Sequence, residues 1–272
     1  MNYSGCYTEL SNENYHAIKS HLSRSAIMDY DKSPYTYWAK HLNPNRPIKD
    51  ATPQMELGTA FHTLILEPLR FNEEYVMKPT PVLLKDVGRE AYDAYKGVCD
   101  YIEKSGQRVL SFDDWHNLMA MKAKLESNDQ AMQLIRDCRI ENSFFWEDEH
   151  SGMLLKARPD ILHDNMIVDL KTCSDASPRA YQMEMVKYGY HVQGAMIRDG
   201  VDVCEGRRIN NVINICVETK YPHNMAIYII DEFAIDEGQV KYKNILLDIK
   251  NAIQENSYGD DGIQTIGLPR WA

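Results

Sequence analysis

The residues with the clearest chemical potential in this sequence are two aspartates and a lysine in the segment RPDILHDNMIVDLKT. Asp160 follows a proline, and Asp169 stands two positions before Lys171 at the end of an apolar run. Side chains alternate between the two faces of a β-strand, so Asp169 and Lys171 are expected to share one face. Val168 and Leu170 then point to the opposite face, into the core. The segment predicts a carboxylate and an ammonium group side by side on one strand.

A second carboxylate, from Asp160, is expected to meet this pair because a turn at residues 163–165 folds the two segments into a hairpin. Two converging acids resist ionisation unless a positive group lies between them. Mg²⁺ and Mn²⁺ prefer oxygen ligands, and they often take one or two carboxylates while water and substrate phosphate fill other positions. Lys171 beside such an ion can orient or deprotonate an attacking water. The alternative for Asp169 and Lys171 alone is a solvated ion pair on an edge strand.

The elements that must position these groups change in type along the chain. Apolar residues recur at helical spacing in the first half, and alternation typical of strands follows. Ser33 and Ser177 each precede a proline, a pairing that is typical of a helix start. Helices are predicted at 12–22, 33–42, 57–68, 90–105, 112–137, 178–200 and 237–256. Strands are predicted on both sides of a turn at Ser151-Gly152 within 141–162, and at 166–172, 211–219 and 225–231.

This order predicts an α/β fold in which helices flank a mixed central β-sheet. We interpret residues 1–272 as a single domain with three parts, because no repeat or long linker interrupts the chain. Residues 1–137 are predicted to be mostly helical, 138–235 to form the sheet core, and 236–272 to form a C-terminal helix and tail. A hydrophobic content of 44% is enough to bury a substantial core.

Composition excludes several classes of protein. The apolar runs are too short to span a membrane and no signal sequence is evident, so a cytoplasmic location is expected. The six cysteines are scattered and are expected to be free thiols. No HExxH, GxxxxGK[ST] or GxGxxG motif occurs. A net charge of −10 argues against coating nucleic acid by bulk electrostatics but permits local contact in a cleft.

The segment RPD...VDLKT resembles the core of the PD-(D/E)xK nucleases, whose fold is similar to that of restriction endonucleases. Asp160 matches the first acid of that motif, Asp169 the second acid and Lys171 the lysine. The upstream segment GTAFHTLILEP resembles the G-x-x-x-H helix of the RecE-like and RecB-like branches and places His62 at a metal or active-site position. Some relatives carry glutamate at this position, and a structural role at the helix edge is the alternative for His62.

Two more segments point to the RecE-type branch, the exonuclease VIII domain related to lambda exonuclease. YGYHVQGAM matches its Y-x-x-Q element, with Tyr190 and Gln193 one helical turn apart. LSRSAIMDYDKSPYTYWAKHL resembles the start of the RecE-type domain. The four motifs stand in the order of the family and cover roughly residues 20–235.

The resemblance implies a phosphodiesterase that uses two Mg²⁺ ions about 3.5–4 Å apart, with Mn²⁺ able to substitute. It implies that Lys171 acts on the nucleophilic water while Gln193 and Tyr190 orient water, lysine or DNA. The implied metal ligands are Asp160, Asp169, the Leu170 carbonyl and His62.

The resemblance also implies a biological role. RecE-type and lambda-type exonucleases degrade one strand of linear double-stranded DNA from its 5′ end as closed rings, here a trimer or tetramer, and leave 3′ tails for a RecT-type annealing protein of a phage or prophage. Ser25 matches a serine that binds the 5′ phosphate in lambda-type enzymes, although a helix cap is the alternative. Arg158 is expected to contact DNA phosphate, since arginine can grip two oxygens at once.

Two other interpretations stay open. Relatives in CRISPR adaptation or helicase complexes hold an iron-sulfur cluster, but the late cysteines here, Cys204 and Cys216, are not grouped closely enough for one. A non-catalytic DNA-end-binding module would keep the fold without activity. Competent residues at every catalytic position disfavour that module.

Overall fold

The structure is a computed structural model that describes residues 3–47, 51–259, 262–263 and 265–268. Its α-helices are α1 (Asn12–Ala17), α2 (Arg24–Lys32), α3 (Pro34–Tyr37), α4 (Pro53–Leu66), α5 (Pro68–Glu74), α6 (Leu84–Val87), α7 (Arg89–Ser105), α8 (Phe112–Glu126), α9 (Asp129–Ile135), α10 (Pro178–Tyr188), α11 (Tyr190–Glu205) and α12 (Glu232–Glu255). Its strands are β1 (Gly5–Tyr7), β2 (Tyr75–Met77), β3 (Arg108–Leu110), β4 (Arg139–Ile140), β5 (Ser143–Glu147), β6 (Leu154–Ala157), β7 (Ile161–Leu162), β8 (Met166–Cys173), β9 (Asn211–Glu218) and β10 (Met225–Ile230).

The central sheet has the strand order β10-β9-β8-β7-β4, with β8 in the middle. β8 and β9 run parallel, and the other neighbours run antiparallel. A parallel pair needs a long crossover, which α10 and α11 supply between β8 and β9. The predicted α/β class with a mixed central sheet is confirmed.

Two hydrophobic cores lie on opposite faces of this sheet. On one face, α2, α11 and α12 pack around residues such as Ile27, Val192 and Leu246. On the other face, α4 and α8 cover a core that includes Val168 and Leu170 of β8. The middle strand is therefore buried on both sides, and charged residues on it are held rigidly.

Several predicted boundaries are corrected by the structure. The strands predicted within 141–162 do not all join the central sheet, because β5 and β6 form a separate antiparallel sheet with β1. The region predicted to be mostly helical contains β1 and the parallel pair of β2 and β3. These strands are only three residues long, too short for a detectable alternating pattern.

Three predicted helices are interrupted. The helix predicted at 178–200 breaks at Gly189, which adopts φ of 67° and separates α10 from α11. The segment 112–137 divides into α8 and α9 at Asn128, whose side chain caps α9. The segment 33–42 begins as α3 and continues as a π-helical turn, Trp38–Leu42. Within the described ranges, no helix is both long and apolar enough to cross a membrane.

Candidate active site

Asp169 and Lys171 lie on β8, the middle strand of the central sheet, and their side chains share the face that α11 covers. The Asp169 side chain is 5% exposed and the Lys171 side chain 14%, and the Lys171 ammonium contacts Asp169 Oδ2. Val168 and Leu170 are fully buried in the opposite core. The alternation expected from the sequence is observed, and the pair is not a solvated ion pair on an edge strand.

Helix α11 places Gln193 and Tyr190 over this pair. The Gln193 amide donates to Asp169 Oδ1 at 3.0 Å, and its Oε1 accepts from Lys171 Nζ at 3.2 Å. Lys171 Nζ lies 4.7 Å from the centroid of the Tyr190 ring. The two residues face the site together because they are one helical turn apart. They hold the lysine between a hydrogen bond and an aromatic face.

Asp160 reaches the site from a bend between β6 and β7, so the prediction that it lies in a strand is corrected. Pro159 has no N–H for a ladder hydrogen bond, which ends β6 just before it. Asp160 Oδ2 accepts from the Leu170 N–H at 2.8 Å and lies 3.4 Å from His62 Nδ1. Both contacts are made to Oδ2. The hydrogen bond from Leu170 and the contact with Asp160 place the Asp160 carboxylate and the His62 ring beside the edge of β8.

The charges in this site perturb one another. Burial raises the pKa of Asp160, but the His62 and Lys171 charges and the Leu170 N–H outweigh it and hold this pKa below its usual range. Burial and the Asp160 charge raise the pKa of Asp169 despite Lys171. Burial lowers the pKa of His62, yet the Asp160 carboxylate more than reverses this and raises it. Without an added cation, the site therefore disfavours two charged aspartates.

The donor set fits a divalent cation that completes its shell with water or phosphate. Among the described residues, no three His, Cys, Asp or Glu side chains form a ready-made metal site. Asp169 Oδ2 is nevertheless buried, and within the described residues it has no hydrogen-bond partner besides its ion-pair contact with Lys171. The 3.4 Å between His62 and Asp160 suits neighbouring ligands of an octahedral ion, which lie about 3 Å apart. Mg²⁺ commonly binds through one or two carboxylates.

Two cavities open on the site from different sides. The larger, of about 520 Å³, is lined by His62, Tyr190 and Tyr188 among others. The smaller, of about 250 Å³, is lined by Asp160, Gln193 and several basic and hydroxyl side chains. Asn12 and Glu141 line both cavities, so the two spaces adjoin at these two residues.

Ser25 and Arg158, the predicted phosphate contacts, both line the smaller cavity. Ser25 is exposed in the first turn of α2, and the N-cap residue of that helix is Ser23, so the capping alternative for Ser25 is wrong. The Arg158 side chain is only 7% exposed. Its guanidinium donates to Ser143 Oγ at 2.6 Å and to the Leu10 carbonyl at 2.7 Å. These internal bonds leave Arg158 few donors for phosphate.

Sequence reasoning missed Glu141. Its backbone N–H donates to the Asp160 carbonyl at 3.1 Å, and its carboxylate lies 3.2 Å from Arg158. Burial and the Asp160 charge raise the pKa of Glu141. Glu141 adopts φ of 56°, a left-handed conformation that no local pattern predicts.

A buried pair behind the site was also missed. The Asn214 amide donates to the Tyr181 hydroxyl at 2.7 Å, and Asn214 stands opposite Asp169 in the β8–β9 register. Tyr181 in turn stacks on Tyr190. An asparagine inside an apolar strand is the only signal that could have indicated this pair.

Comparisons with known proteins concern the family and the fold of the chain. The family described as PDDEXK-like domain of unknown function (DUF3799) matches residues 23–261. A proposed exonuclease from Eubacterium rectale has a TM-score of 0.60 at 15% identity, over 95% of this chain and 97% of its own. At this identity the likeness shows a shared fold.

Two further solved structures are more distant. An alkaline exonuclease from Laribacter hongkongensis has a TM-score of 0.33 at 13% identity, over 90% of this chain and 96% of its own. A phage-related exonuclease from Haemophilus somnus has a TM-score of 0.34 at 12% identity, over 72% of this chain and 95% of its own. No curated protein matches the sequence significantly.

Proposed function

This chain belongs to the DUF3799 family of PDDEXK-like domains, and on that premise we propose that it is a metal-dependent exodeoxyribonuclease. Its substrate in this proposal is linear double-stranded DNA, of which it degrades one strand. The observation that carries the proposal is the convergence of Asp160, Asp169 and Lys171 beside two cavities, with Gln193 bonded to both the second acid and the lysine.

The residues of the chain have distinct roles in the proposed reaction. Bound Mg²⁺, or Mn²⁺ in its place, would stabilise charge on the scissile phosphate and lower the pKa of a water molecule. Asp160, Asp169, the Leu170 carbonyl and His62 are the proposed ligands, for two ions. In β8 the Leu170 N–H points toward Asp160, and the N–H and C=O of one strand residue point to the same side. The Leu170 carbonyl is therefore directed to the same edge.

Lys171 is the proposed group that orients the attacking water and, in its neutral amine form, takes up the proton that this water loses. Gln193 fixes the Lys171 ammonium through one hydrogen bond, and the Tyr190 ring limits its movement from another side. Because the Lys171 side chain is 14% exposed, bulk water has limited access to it. Preorganised charges in such a site need little rearrangement during reaction.

Finer features of the proposal rest on the RecE-type motifs. They are 5′-to-3′ polarity, 3′ single-stranded products for annealing recombination, a homo-oligomeric ring of three or four chains, and a RecT-type partner. The fold shared with the proposed exonuclease from Eubacterium rectale supports exonuclease action. Ser25 remains the proposed contact for the 5′ phosphate, and neighbouring Arg24 also lines that cavity. Arg158 is a weaker candidate because its donors are used internally.

The decisive experiment is digestion of linear duplex DNA labelled at either end, with or without a 5′ phosphate, in Mg²⁺, Mn²⁺ or EDTA. We expect nucleotides to be released from the 5′-phosphorylated strand only with a metal ion. Closed circular duplex, which has no ends, is expected to stay intact. Sedimentation of the same preparation measures ring size.

Lys171→Ala is expected to lower the rate about 10²- to 10⁴-fold, the usual contribution of a positioned acid–base group. Lys122→Ala is the matched control, because Lys122 forms a surface ion pair with Glu126 one turn along α8. A wild-type protein that binds duplex ends but releases no nucleotide with either metal would establish the non-catalytic end-binding module instead.

A further inference from the structure

Four tyrosines form a continuous stack that runs from the edge strand β10, through a buried ring, to the larger cavity. We call Tyr228, Tyr181, Tyr190 and Tyr188 the tyrosine stack. Successive ring centroids are 5.0, 5.9 and 5.8 Å apart, with interplanar angles of 16°, 27° and 29°. Tyr181 is 3% exposed, whereas Tyr188 is 41% exposed and lines the cavity. The stack therefore ends in an exposed ring, that of Tyr188, beside the candidate active site.

The stack exists because the helix breaks at Gly189. Residues two apart on a continuous α-helix project about 200° from each other and cannot stack. The left-handed conformation of Gly189, at φ 67° and ψ 42°, turns the chain so that the rings of Tyr188 and Tyr190 meet. Arg24 of α2 donates to the Tyr188 carbonyl at 2.7 Å, and a Cβ on Gly189 would lie 2.6 Å from Met28 Sδ. Helix α2 thus fixes the break.

The surroundings of Tyr188 are suited to a nucleotide. One face of its ring packs on Tyr190, whose own ring lies 4.7 Å from Lys171 Nζ, so Tyr188 is one ring away from the catalytic lysine. The exposed side chain of Lys187 lies 5.0 Å from the Tyr188 centroid. An exposed cation–π contact is worth only about 0.5–1 kcal/mol, so a base can displace it. The displaced ammonium would stay close to the backbone phosphate.

We propose that Tyr188 is a stacking platform for a nucleobase of the strand that the site cuts. Proteins that hold single-stranded nucleic acid without sequence preference stack successive bases on aromatic side chains, since every base has a π-face. The inference rests on the proposed nuclease function, because the platform serves a strand threaded past Lys171. Recognition by stacking also suits an acidic protein, as it does not depend on bulk positive charge.

The test compares Tyr188→Ala and Tyr188→Phe with Tyr35→Ala as the matched control. Tyr35 stacks on Trp38 at 5.7 Å and 28° and is 53% exposed, but it lines neither cavity. Tyr188→Ala is expected to raise KM for duplex ends about 5- to 150-fold, the range measured for loss of one stacked base. Tyr188→Phe keeps the ring and is expected to recover most of this loss. Thermal unfolding of each variant verifies folding.

Substrates with one abasic position separate stacking from other losses. Each substrate lacks the base at one of the first few nucleotides of the cut strand. When the missing base is the one that stacks on Tyr188, the wild type is expected to bind the abasic substrate more weakly than intact DNA. Tyr188→Ala, which has already lost the stacking ring, is expected to bind the abasic and the intact substrate equally. The platform would be overturned if Tyr188→Ala weakened binding, relative to the wild type, by the same factor on every abasic substrate. It would also be overturned if Tyr188→Ala left KM unchanged or if Tyr35→Ala raised KM equally.

Failure of the nuclease proposal is distinguishable from failure of the platform. If the wild type cuts but Tyr188→Ala retains its KM, only the platform is wrong. If the wild type does not cut, the same variants are compared by the Kd for a labelled oligonucleotide in Ca²⁺, and an unchanged Kd overturns the platform. A wild type that neither cuts nor binds the oligonucleotide overturns both.

Discussion

The closest approach of α11 and α12 gives a prediction that does not depend on function. A Cβ added at Gly238 of α12 would lie 2.6 Å from the His191 carbonyl oxygen and 3.0 Å from the Val192 nitrogen of α11. Real Cβ atoms essentially never approach a neighbour within 3.0 Å. Gly238→Ala therefore forces the two helices apart by at least about 0.4 Å, the difference between 3.0 and 2.6 Å. The obstacle is backbone, which cannot rotate away as a side chain can.

The expected magnitude combines two opposing effects. Overpacking a close contact costs about 1–3 kcal/mol, and a rigid backbone obstacle favours the upper part of that range. Alanine offsets about 1 kcal/mol through its better helix propensity. The net loss of unfolding free energy is about 1–2 kcal/mol, which lowers the Tm by about 2–4 °C for a chain of this size.

Urea unfolding followed by circular dichroism measures this change. Gly97→Ala is the matched control, because Gly97 lies inside α7 with nothing within 4 Å of an added Cβ. The same substitution is expected to stabilise there by about 0.5–1 kcal/mol. If Gly238→Ala also unfolds at higher urea than the wild type, the helices do not meet as closely as the structure indicates, and the reasoning is refuted.

Three further predictions concern single side chains. Gln193→Leu removes the hydrogen bonds to Lys171 and its neighbouring acid, and it should lower kcat about 10- to 150-fold at constant KM, as bonds to charged groups are worth about 1.5–3 kcal/mol. Glu205→Gln should lower the free energy of unfolding by about 1–2 kcal/mol at pH 7, because hydrogen bonds from two arginines lower the pKa of Glu205 from 4.5 to about 2. This loss is smaller than the full pKa shift implies, since solvent screens the partly exposed charges. Tyr181→Phe leaves the buried Asn214 amide without its acceptor and should cost about 1–3 kcal/mol.

Each of these is checked by a separate measurement. Nucleotide release at varied DNA concentration separates kcat from KM for Gln193→Leu, and a rise in KM alone would contradict its positioning role. For Glu205 the folded pKa lies below the unfolded one, so the stabilisation is complete above pH 4.5 and disappears as pH falls toward 2. The stability difference between wild type and Glu205→Gln should shrink in that window. Tyr181→Phe is tested by urea unfolding, and an unchanged midpoint would refute it.

The features of the fold and site that could be predicted depend on patterns among residues close together in the sequence. Side chains alternate along a strand with a two-residue period, and this geometry correctly placed Asp169 and Lys171 on one face of β8. Ser33 caps α3 with Pro34 in its first turn, as the dipeptide indicated. Tyr190 and Gln193 share a helix face because residues three apart are neighbours on the surface of an α-helix.

The parts that were not predictable depend on contacts distant in sequence. β1 pairs with β5 across more than 130 residues, and nothing within a three-residue strand announces its partner. Arg158 was predicted to contact DNA, but Leu10 and Ser143 accept its donors, and only the folded chain brings them together. The break at Gly189 was missed because glycine is tolerated within helices, and α2 decides the conformation here.

The candidate active site depends on both hydrophobic cores, because helices on the two opposite faces of the central sheet each contribute a side chain to it. His62 lies on α4 in the layer that covers one face, whereas Gln193 lies on α11 in the layer that covers the other. A partly denatured species that keeps its helices but releases either layer retains its circular dichroism signal and yet separates His62 or Gln193 from the acids and the lysine, which stay with the sheet. Loss of activity should therefore precede loss of helicity whenever denaturation proceeds layer by layer.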